Sequence, residues 1–338
     1  MPTVLITGAA GFIGFHLCTV FTENNYVVYA LDNLQNSTEP DLKLDRLTSL
    51  GINTKLIKYG EIIAAGSLNF IQCDLNDTLT LNKFFTANHF DVVVHLAAQT
   101  GVRNSVNNPD IYIKNNIIGF QNVLQTCKNF NINKLIFASS SSVYGENRKM
   151  PYLEDFPTDN PESIYAVTKK SNELMAQAYS NLFKINAIGL RFFTVYGPWV
   201  RTDMASYIFM KSISEEKPIN FYNSGHSLRD FTFVDDVVKS IFLIAKKITG
   251  PDAHSYPLFN IYNVGNSHPV NLEKFLNCIE LFLNKKADIH NKPIQEGDVT
   301  ATFACVDKLN QFIQFKPDTD IETGVKKMVD WFTKFHHK

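Results

Sequence analysis

The sequence predicts an α/β protein, a doubly wound parallel sheet followed by a smaller C-terminal substrate-binding lobe. Three observations lead there. Short apolar strands alternate with amphipathic helical stretches over residues 1–190. A glycine-rich turn joins the first strand to the first helix. From residue 191 to residue 338 the alternation gives way to short strands, loops and helices, which suits a smaller lobe with some segments crossing back to the sheet. No Pro/Gly-rich linker marks the division.

The elements follow in order. Thr3-Val-Leu-Ile-Thr7 is a short apolar β-branched run and reads as a strand. Gly8-Ala-Ala-Gly11-Phe12-Ile13-Gly14 then leads into Phe15–Phe21 with helical periodicity. Glycines at 8, 11 and 14 allow a sharp turn, close approach to a pyrophosphate and tight helix packing, while the helix start offers unpaired N–H groups to an anion. The Gly-x-x-Gly-x-x-Gly spacing departs by one residue from the usual dinucleotide fingerprint.

A second strand, Tyr26–Leu31, ends at Asp32, eighteen residues beyond Gly14. A carboxylate there accepts from both adenosine-ribose hydroxyls and repels a 2′-phosphate, so NAD is favoured over NADP. Residues 39–66 read as an insertion, a helix near 41–50 followed by a surface loop. Further strands are expected at Leu68–Gln72, Asp91–His95, Lys134–Ala138 and Ile185–Leu190, with helices near 78–88, 109–130 and 161–183. His95 ends a core strand and reads as a structural residue.

Composition sets the class. With 338 residues, 45% of them hydrophobic, and a formal net charge of −1, the chain can bury a large core and carries no basic stripe for nucleic acid or membrane. There is no charged leader and no apolar run of spanning length, so a cytoplasmic protein is expected. Cysteines 18, 73, 127, 278 and 305 lie far apart, the usage of buried reduced thiols. No His/Asp/Glu/Cys cluster has metal-ligand spacing, and no metal is expected.

Chemistry enters at Tyr165 and Lys169. Four residues apart on a helix, they share one face and set an ammonium beside a phenol. A phenol with an ordinary pKa near ~10 is protonated at neutral pH, and the adjacent positive charge favours the phenolate, a usable base. The spacing alone is common. Its weight comes from the glycine turn and from the run Ser139–Ser142 ending in Val143-Tyr144-Gly145.

These landmarks, together with His95-Leu-Ala-Ala-Gln-Thr-Gly-Val-Arg103, Leu190-Arg-Phe-Phe-Thr-Val-Tyr-Gly-Pro-Trp199 and Arg229-Asp-Phe-Thr-Phe-Val-Asp-Asp236, resemble the extended short-chain dehydrogenase/reductases from residue 3 to about 332. Within them the chain looks most like the UDP-glucuronate 4-epimerases. The resemblance implies a Rossmann-like fold, bound NAD, and a UDP-hexuronic acid substrate. It makes Tyr165 the base at the sugar 4-hydroxyl, Lys169 its support and a holder of the nicotinamide ribose, and Ser140 the hydroxyl that bonds O4. Gly8, Gly11, Phe12, Ile13, Gly14 and Asp32 fall on the cofactor side, as do Asp74, Leu75 and Asn115, the first two as adenine contacts.

On the substrate side the same resemblance implies Ser142, Arg103, Thr194, Arg201, Arg229, Gln295 and Asp298. Arg229 is suited to grip the diphosphate. Arg201 is placed for the C6 carboxylate, with Thr194 at the sugar. The family has Gly where this chain has Val200, and a β-branched residue there restricts the path of the loop that aims Arg201. Asp235 and Asp236 read as helix caps. Family members that eliminate water carry an Asp-Glu pair at Ser141-Ser142, and decarboxylating members a Glu at Ser142; this chain has neither carboxylate, so epimerisation is expected. The competing readings are an epimerase of neutral UDP-hexoses or UDP-N-acetylhexosamines, and a non-catalytic NAD-binding sensor or scaffold. Related enzymes dimerise through two long helices, which here fall near 109–130 and 161–183, so a homodimer is expected.

Overall fold

An eight-stranded sheet organises the computed structural model, its strands lying side by side in the order Phe259–Val264, Asn186–Phe192, Lys134–Ser140, Val92–His95, Thr3–Thr7, Val27–Asp32, Leu68–Gln72 and Ile62–Ala65. The structure describes residues 1–338 except 36–39, 146–148, 252–255, 294–299 and 337–338, with 40 and 41 described by backbone only. The chain divides into two units: Met1–Gly145, Pro157–Arg191 and Val238–Tyr262 form the first, and Glu146–Phe156, Phe192–Val237 and Asn263–Lys338 the second.

In the first unit, β1 (Thr3–Thr7), α1 (Phe12–Glu23) and β2 (Val27–Asp32) follow the sequence pattern closely. After α2 (Pro40–Ser49) comes β3 (Ile62–Ala65), antiparallel to β4 (Leu68–Gln72). The insertion is therefore not all surface loop after its helix. Ala65 pairs with Leu68 across the two-residue turn Gly66-Ser67, with Gly66 at a φ of 64°, and Gly-x is a favoured two-residue hairpin turn. Then come α3 (Thr78–Ala87), β5 (Val92–His95), α4 (Val102–Asn107), α5 (Pro109–Tyr112), a π-helical turn (Ile113–Ile118), α6 (Gly119–Asn129), β6 (Lys134–Ser140), α7 (Ile164–Phe183) and β7 (Asn186–Phe192).

β1 pairs in parallel with both β2 and β5, so the winding reverses at β1 and leaves its carboxyl end beside that of β5. Ligands of open α/β sheets gather at such a reversal. The strands are nearly continuous apolar runs, as burial on both faces requires, with Val4, Ile6, Val92, Val93 and Val94 excluded from solvent. Phe84, Phe85, Phe90, Phe120 and Phe137 fill the core beside them.

The second unit holds β8 (Thr194–Tyr196), α8 (Ala205–Ser214), β9 (Ile219–Tyr222), β10 (Leu228–Arg229) and β11 (Phe231–Phe233). α9 (Val234–Thr249) and β12 (Phe259–Val264) follow, both running across the division of the chain, then β13 (Val270–Asn271), α10 (Leu272–Leu283), β14 (Ile289–Lys292), α11 (Asp307–Ile313) and α12 (Ile321–His336). Its core is aromatic: Phe231 and Phe275 stack at 4.2 Å, with Tyr196 edge-on to both. Asp235 and Asp236 lie in the first turn of α9 and not at its cap; Asp236 instead accepts from the Thr319 N–H at 3.0 Å.

Candidate active site

The glycine turn after β1 is built as a cradle. Gly8 has a φ of 71°, and a Cβ there would lie 2.7 Å from the backbone nitrogen of Ala97 just past β5. A Cβ on Gly14 would run into the Gly8 carbonyl and sit 2.9 Å from the Ala9 Cα. α1 starts with no side-chain cap at Gly11 and no acidic residue in its first turn, so the N–H groups of Phe12 and Ile13 open onto the turn at the positive end of the helix. Such a start suits an anion.

Asp32 ends β2 beside this turn. Its Oδ2 accepts from the Ala10 N–H at 3.1 Å, and its Oδ1 accepts from Leu34 N–H at 2.9 Å and from Lys43 Nζ at 3.0 Å. Lys43 offsets part of the charge, so exclusion of a 2′-phosphate rests on the carboxylate being acceptor-only as well as on repulsion. Asp74 is close by: β2 and β4 pair Asp32 with Gln72, and Asn33 Nδ2 donates to Asp74 Oδ2 at 3.2 Å. Asp74 also closes its own turn by accepting from the Asn76 N–H at 2.8 Å. Leu75 is buried, and its carbonyl accepts from Asn122 at 2.9 Å. The glycine cradle, the uncapped helix start and the strand-end carboxylate together fit a dinucleotide.

Ser163 caps α7 by accepting from the Ala166 N–H at 3.1 Å, which fixes where the helix begins. Tyr165 and Lys169 follow on one face, with Lys169 Nζ 5.9 Å from the centre of the Tyr165 ring. Lys169 is buried and donates to the Ala138 carbonyl at 2.9 Å; burial pulls its pKa from the ordinary 10.5 down to about 8. His95 is buried with it. Desolvation, and secondly the charge of Lys169, lower its pKa to about 3, so it stays neutral, bonded to Thr7 Oγ1 at 2.9 Å. Thus the ammonium is the positive charge beside the phenol.

Ser140 closes β6 and caps the turn Ser141–Tyr144, accepting from the Ser142 N–H and donating to Ser142 Oγ, both at 3.1 Å. Asn115 lies half-buried in the π-helical turn, but the polar work falls to its neighbour Asn116. Asn116 Oδ1 accepts from Gln99 N–H at 2.7 Å, and its Nδ2 donates to the Gln99 carbonyl at 2.9 Å and to Thr168 Oγ1 at 3.0 Å. Asn172 Nδ2 donates to the Asn116 carbonyl at 2.7 Å, so the wide turn is fastened to α7. Arg103 is exposed at the second position of α4.

In the second unit, β8 and β11 pair in parallel, placing Thr194 opposite Phe231 and its N–H 3.1 Å from the Asp230 carbonyl, next to Arg229. Asp230 is wholly buried and accepts from the N–H groups of Asn266, Ser267 and Ala304 at 2.7, 3.1 and 2.9 Å, which locks the strand carrying Arg229 to two other segments. Arg201 pairs with Asp203 through both fork nitrogens, Nε to Oδ1 at 3.0 Å and Nη2 to Oδ2 at 2.8 Å. Val200 is fully buried, and the positive-φ residues of this loop are Gly197 and Trp199, with φ of 145° and 62°, so the valine meets no backbone demand for glycine. Trp199 rests against Trp331 and Phe335 of α12 at 5.4 and 5.3 Å. Gln295 and Asp298 lie outside the described residues.

Cys18, Cys73, Cys127 and Cys278 are buried free thiols, whereas Cys305 is half-exposed. Among the described residues no helix is long and apolar enough to cross a membrane.

Known proteins resemble this chain over nearly its whole length. The model of the NAD dependent epimerase/dehydratase family matches residues 4–265. Protein CapI of Staphylococcus aureus is 43% identical over 99% of this chain and 99% of its own. UDP-glucuronate 4-epimerase 5 of Arabidopsis thaliana is 40% identical over 99% of this chain and 76% of its own length. Among solved structures, UDP-glucuronic acid 4-epimerase from Bacillus cereus, in complex with UDP-glucuronic acid and NAD, superposes with a TM-score of 0.86 at 31% identity, covering 98% of this chain and 99% of the other.

Proposed function

Because the chain belongs to the NAD dependent epimerase/dehydratase family, we propose that it inverts C4 of a UDP-hexuronic acid, interconverting UDP-glucuronate and UDP-galacturonate. One observation carries the reading: Lys169 lies 5.9 Å from the centre of the Tyr165 ring and bonds the Ala138 carbonyl of β6, the strand that runs directly into a serine turn with no carboxylate at Ser141 or Ser142. Tyr165 takes the proton of the 4-hydroxyl, and Ser140 bonds O4 as the carbonyl forms. NAD, when bound by the Gly8–Gly14 turn and Asp32, supplies the acceptor and then the donor of the C4 hydride. Without an acid–base pair at C5 and C6, the 4-keto sugar has no local route to elimination. Reduction from the opposite face, with the proton returned from Tyr165 to O4, completes the inversion.

Recognition follows the same residues. Arg229 grips the diphosphate, and Thr194 and Ser142 bond the sugar, with Arg103, Gln295 and Asp298 on the nucleotide-sugar side. Phe12 and Ile13 offer N–H groups to the dinucleotide phosphates, Asp74 and Leu75 border the adenine, and Asn115 with its bonded neighbour Asn116 supports the nicotinamide side. Arg201 binds the C6 carboxylate, which takes the place of Asp203 on the guanidinium fork. Holding the carboxylate also keeps it out of the alignment for loss of carbon dioxide. A homodimer is supported by exposed apolar side chains on α7, Leu174 at 55% and Leu182 at 71%. Free thiols accord with a reducing cytoplasm.

The test is incubation of the purified protein with UDP-glucuronate, without added NAD, and separation of the products. UDP-galacturonate supports the reading. A UDP-pentose would replace it with decarboxylation, turnover of UDP-glucose alone would make this a neutral-sugar epimerase, and a protein with neither NAD nor turnover would be a scaffold.

A further inference from the structure

One buried ion pair has no part in the chemistry above. Glu173, two turns beyond Tyr165 on α7, and Arg191, near the end of β7, are each only 4% exposed. Arg191 donates through Nε to Glu173 Oε1 and through Nη2 to Oε2, both at 2.9 Å. The shared carboxylate also accepts from Ser139 Oγ at 2.6 Å. The Arg191 guanidinium lies 4.7 Å from the centre of the Tyr144 ring. Burial disfavours the charged guanidinium, but the bonds and charge of Glu173 outweigh it and hold the Arg191 pKa above the ordinary arginine value.

Such a pair is a weak stabiliser. Taking both charges out of water consumes most of their attraction, and apolar replacements of similar volume commonly stabilise as well or better. What this pair does have is position. Lys169 binds the carbonyl of Ala138, and Glu173 binds the hydroxyl of Ser139, so one stripe of α7 grips two consecutive residues of β6 immediately before Ser140. Attachments one turn apart, about 6 Å along the axis, fix both the slide and the rotation of a helix. Arg191 and Tyr144 then close the far side of the turn that Ser140 caps.

We propose that Glu173 and Arg191 are positioning residues, a buried clamp that sets the register of the Tyr165 helix against the Ser140–Tyr144 turn. The clamp rests on the reading of Tyr165 and Ser140 as the reacting pair. It acts through Ser139 and Tyr144 and touches neither sugar nor dinucleotide. Misplacement of reacting groups by about 1 Å costs on the order of a hundredfold in rate, so loosening the register lowers kcat and leaves KM near its original value.

The experiment separates position from stability with the full chain carrying its bound NAD. Three variants are compared with the parent: Ser139→Ala, Glu173→Gln, and the apolar pair Glu173→Leu with Arg191→Met. Melting temperature, kcat, KM for the UDP-sugar and amide hydrogen exchange over residues 140–145 are measured. For the apolar pair we expect a melting temperature within a few degrees of the parent's, the apolar gain being offset by the Ser139 hydroxyl left without its acceptor, with kcat down by about tenfold or more, KM within about twofold, and faster exchange in the turn. Ser139→Ala should lower kcat by a smaller factor, with a melting temperature a few degrees below the parent's from the lost bond to Glu173. An apolar pair with parental kcat and parental exchange overturns the clamp. A parent without turnover whose turn still loosens in the variants leaves the clamp standing and removes the epimerase reading instead.

Discussion

Replacing Lys169 by Met tests the electrostatic core of the mechanism. The ammonium lies 5.9 Å from the centre of the Tyr165 ring. At that distance, with an effective dielectric of about 20, a unit charge stabilises a phenolate by about 3 kcal/mol. One pKa unit is about 1.4 kcal/mol, so the phenol of Lys169→Met should titrate about two units higher. At neutral pH the phenolate fraction then falls about a hundredfold, and kcat with it. Met keeps the length of the stem and needs no hydration, which offsets the lost bond to the Ala138 carbonyl, so folding should survive. The assay is the pH dependence of kcat, with bound NAD quantified after denaturation to separate loss of cofactor from loss of base. The acid limb should move upward by about two units. If kcat fell by the same factor at every pH with the limb unmoved, Lys169 would be acting by position alone.

Further outcomes follow from the same residues. In the parent, burial lowers the pKa of Lys169 to about 8, so turnover should fall as pH rises through about 8 and the ammonium is lost; a rate that stays flat to pH 10 would contradict the assignment. The stability effect has the opposite sign: between about 8 and the unfolded value of 10.5 the unfolded chain binds more protons, so this group's contribution rises with pH, measurable as a melting temperature. Arg201→Met should lower kcat/KM for UDP-glucuronate by about a hundredfold and leave any turnover of UDP-glucose unchanged; equal losses on both sugars would assign the residue to the nucleotide. Gly14→Ala puts a Cβ against the Gly8 carbonyl, and the purified protein should retain about tenfold less NAD with unchanged helix content by circular dichroism.

Much of the sheet was legible because buried parallel strands are nearly continuous apolar runs. Thr3–Thr7 and Leu68–Gln72 agree with the structure at both ends, and the other strands expected in the first unit differ by one or two residues. β3 escaped because an edge strand is half solvated and only four residues long; the Gly66-Ser67 pair between two apolar stretches was its available signal. The Tyr165–Lys169 stripe was readable from helix spacing. Asn116 was not, since it lies in a π-helical turn, whose faces a period of 3.6 does not assign. Glu173 with Arg191 and Arg201 with Asp203 were equally silent, because nothing in a chain of mixed charges announces which ions will meet.

The chain has only two tryptophans, and both belong to the second unit, Trp199 two residues before Arg201 and Trp331 on the last helix, with ring centres 5.4 Å apart. All indole emission therefore originates beside the arginine assigned to the hexuronate carboxylate. Titrating the unlabelled protein with a nucleotide sugar gives an optical record of the surroundings of that indole pair.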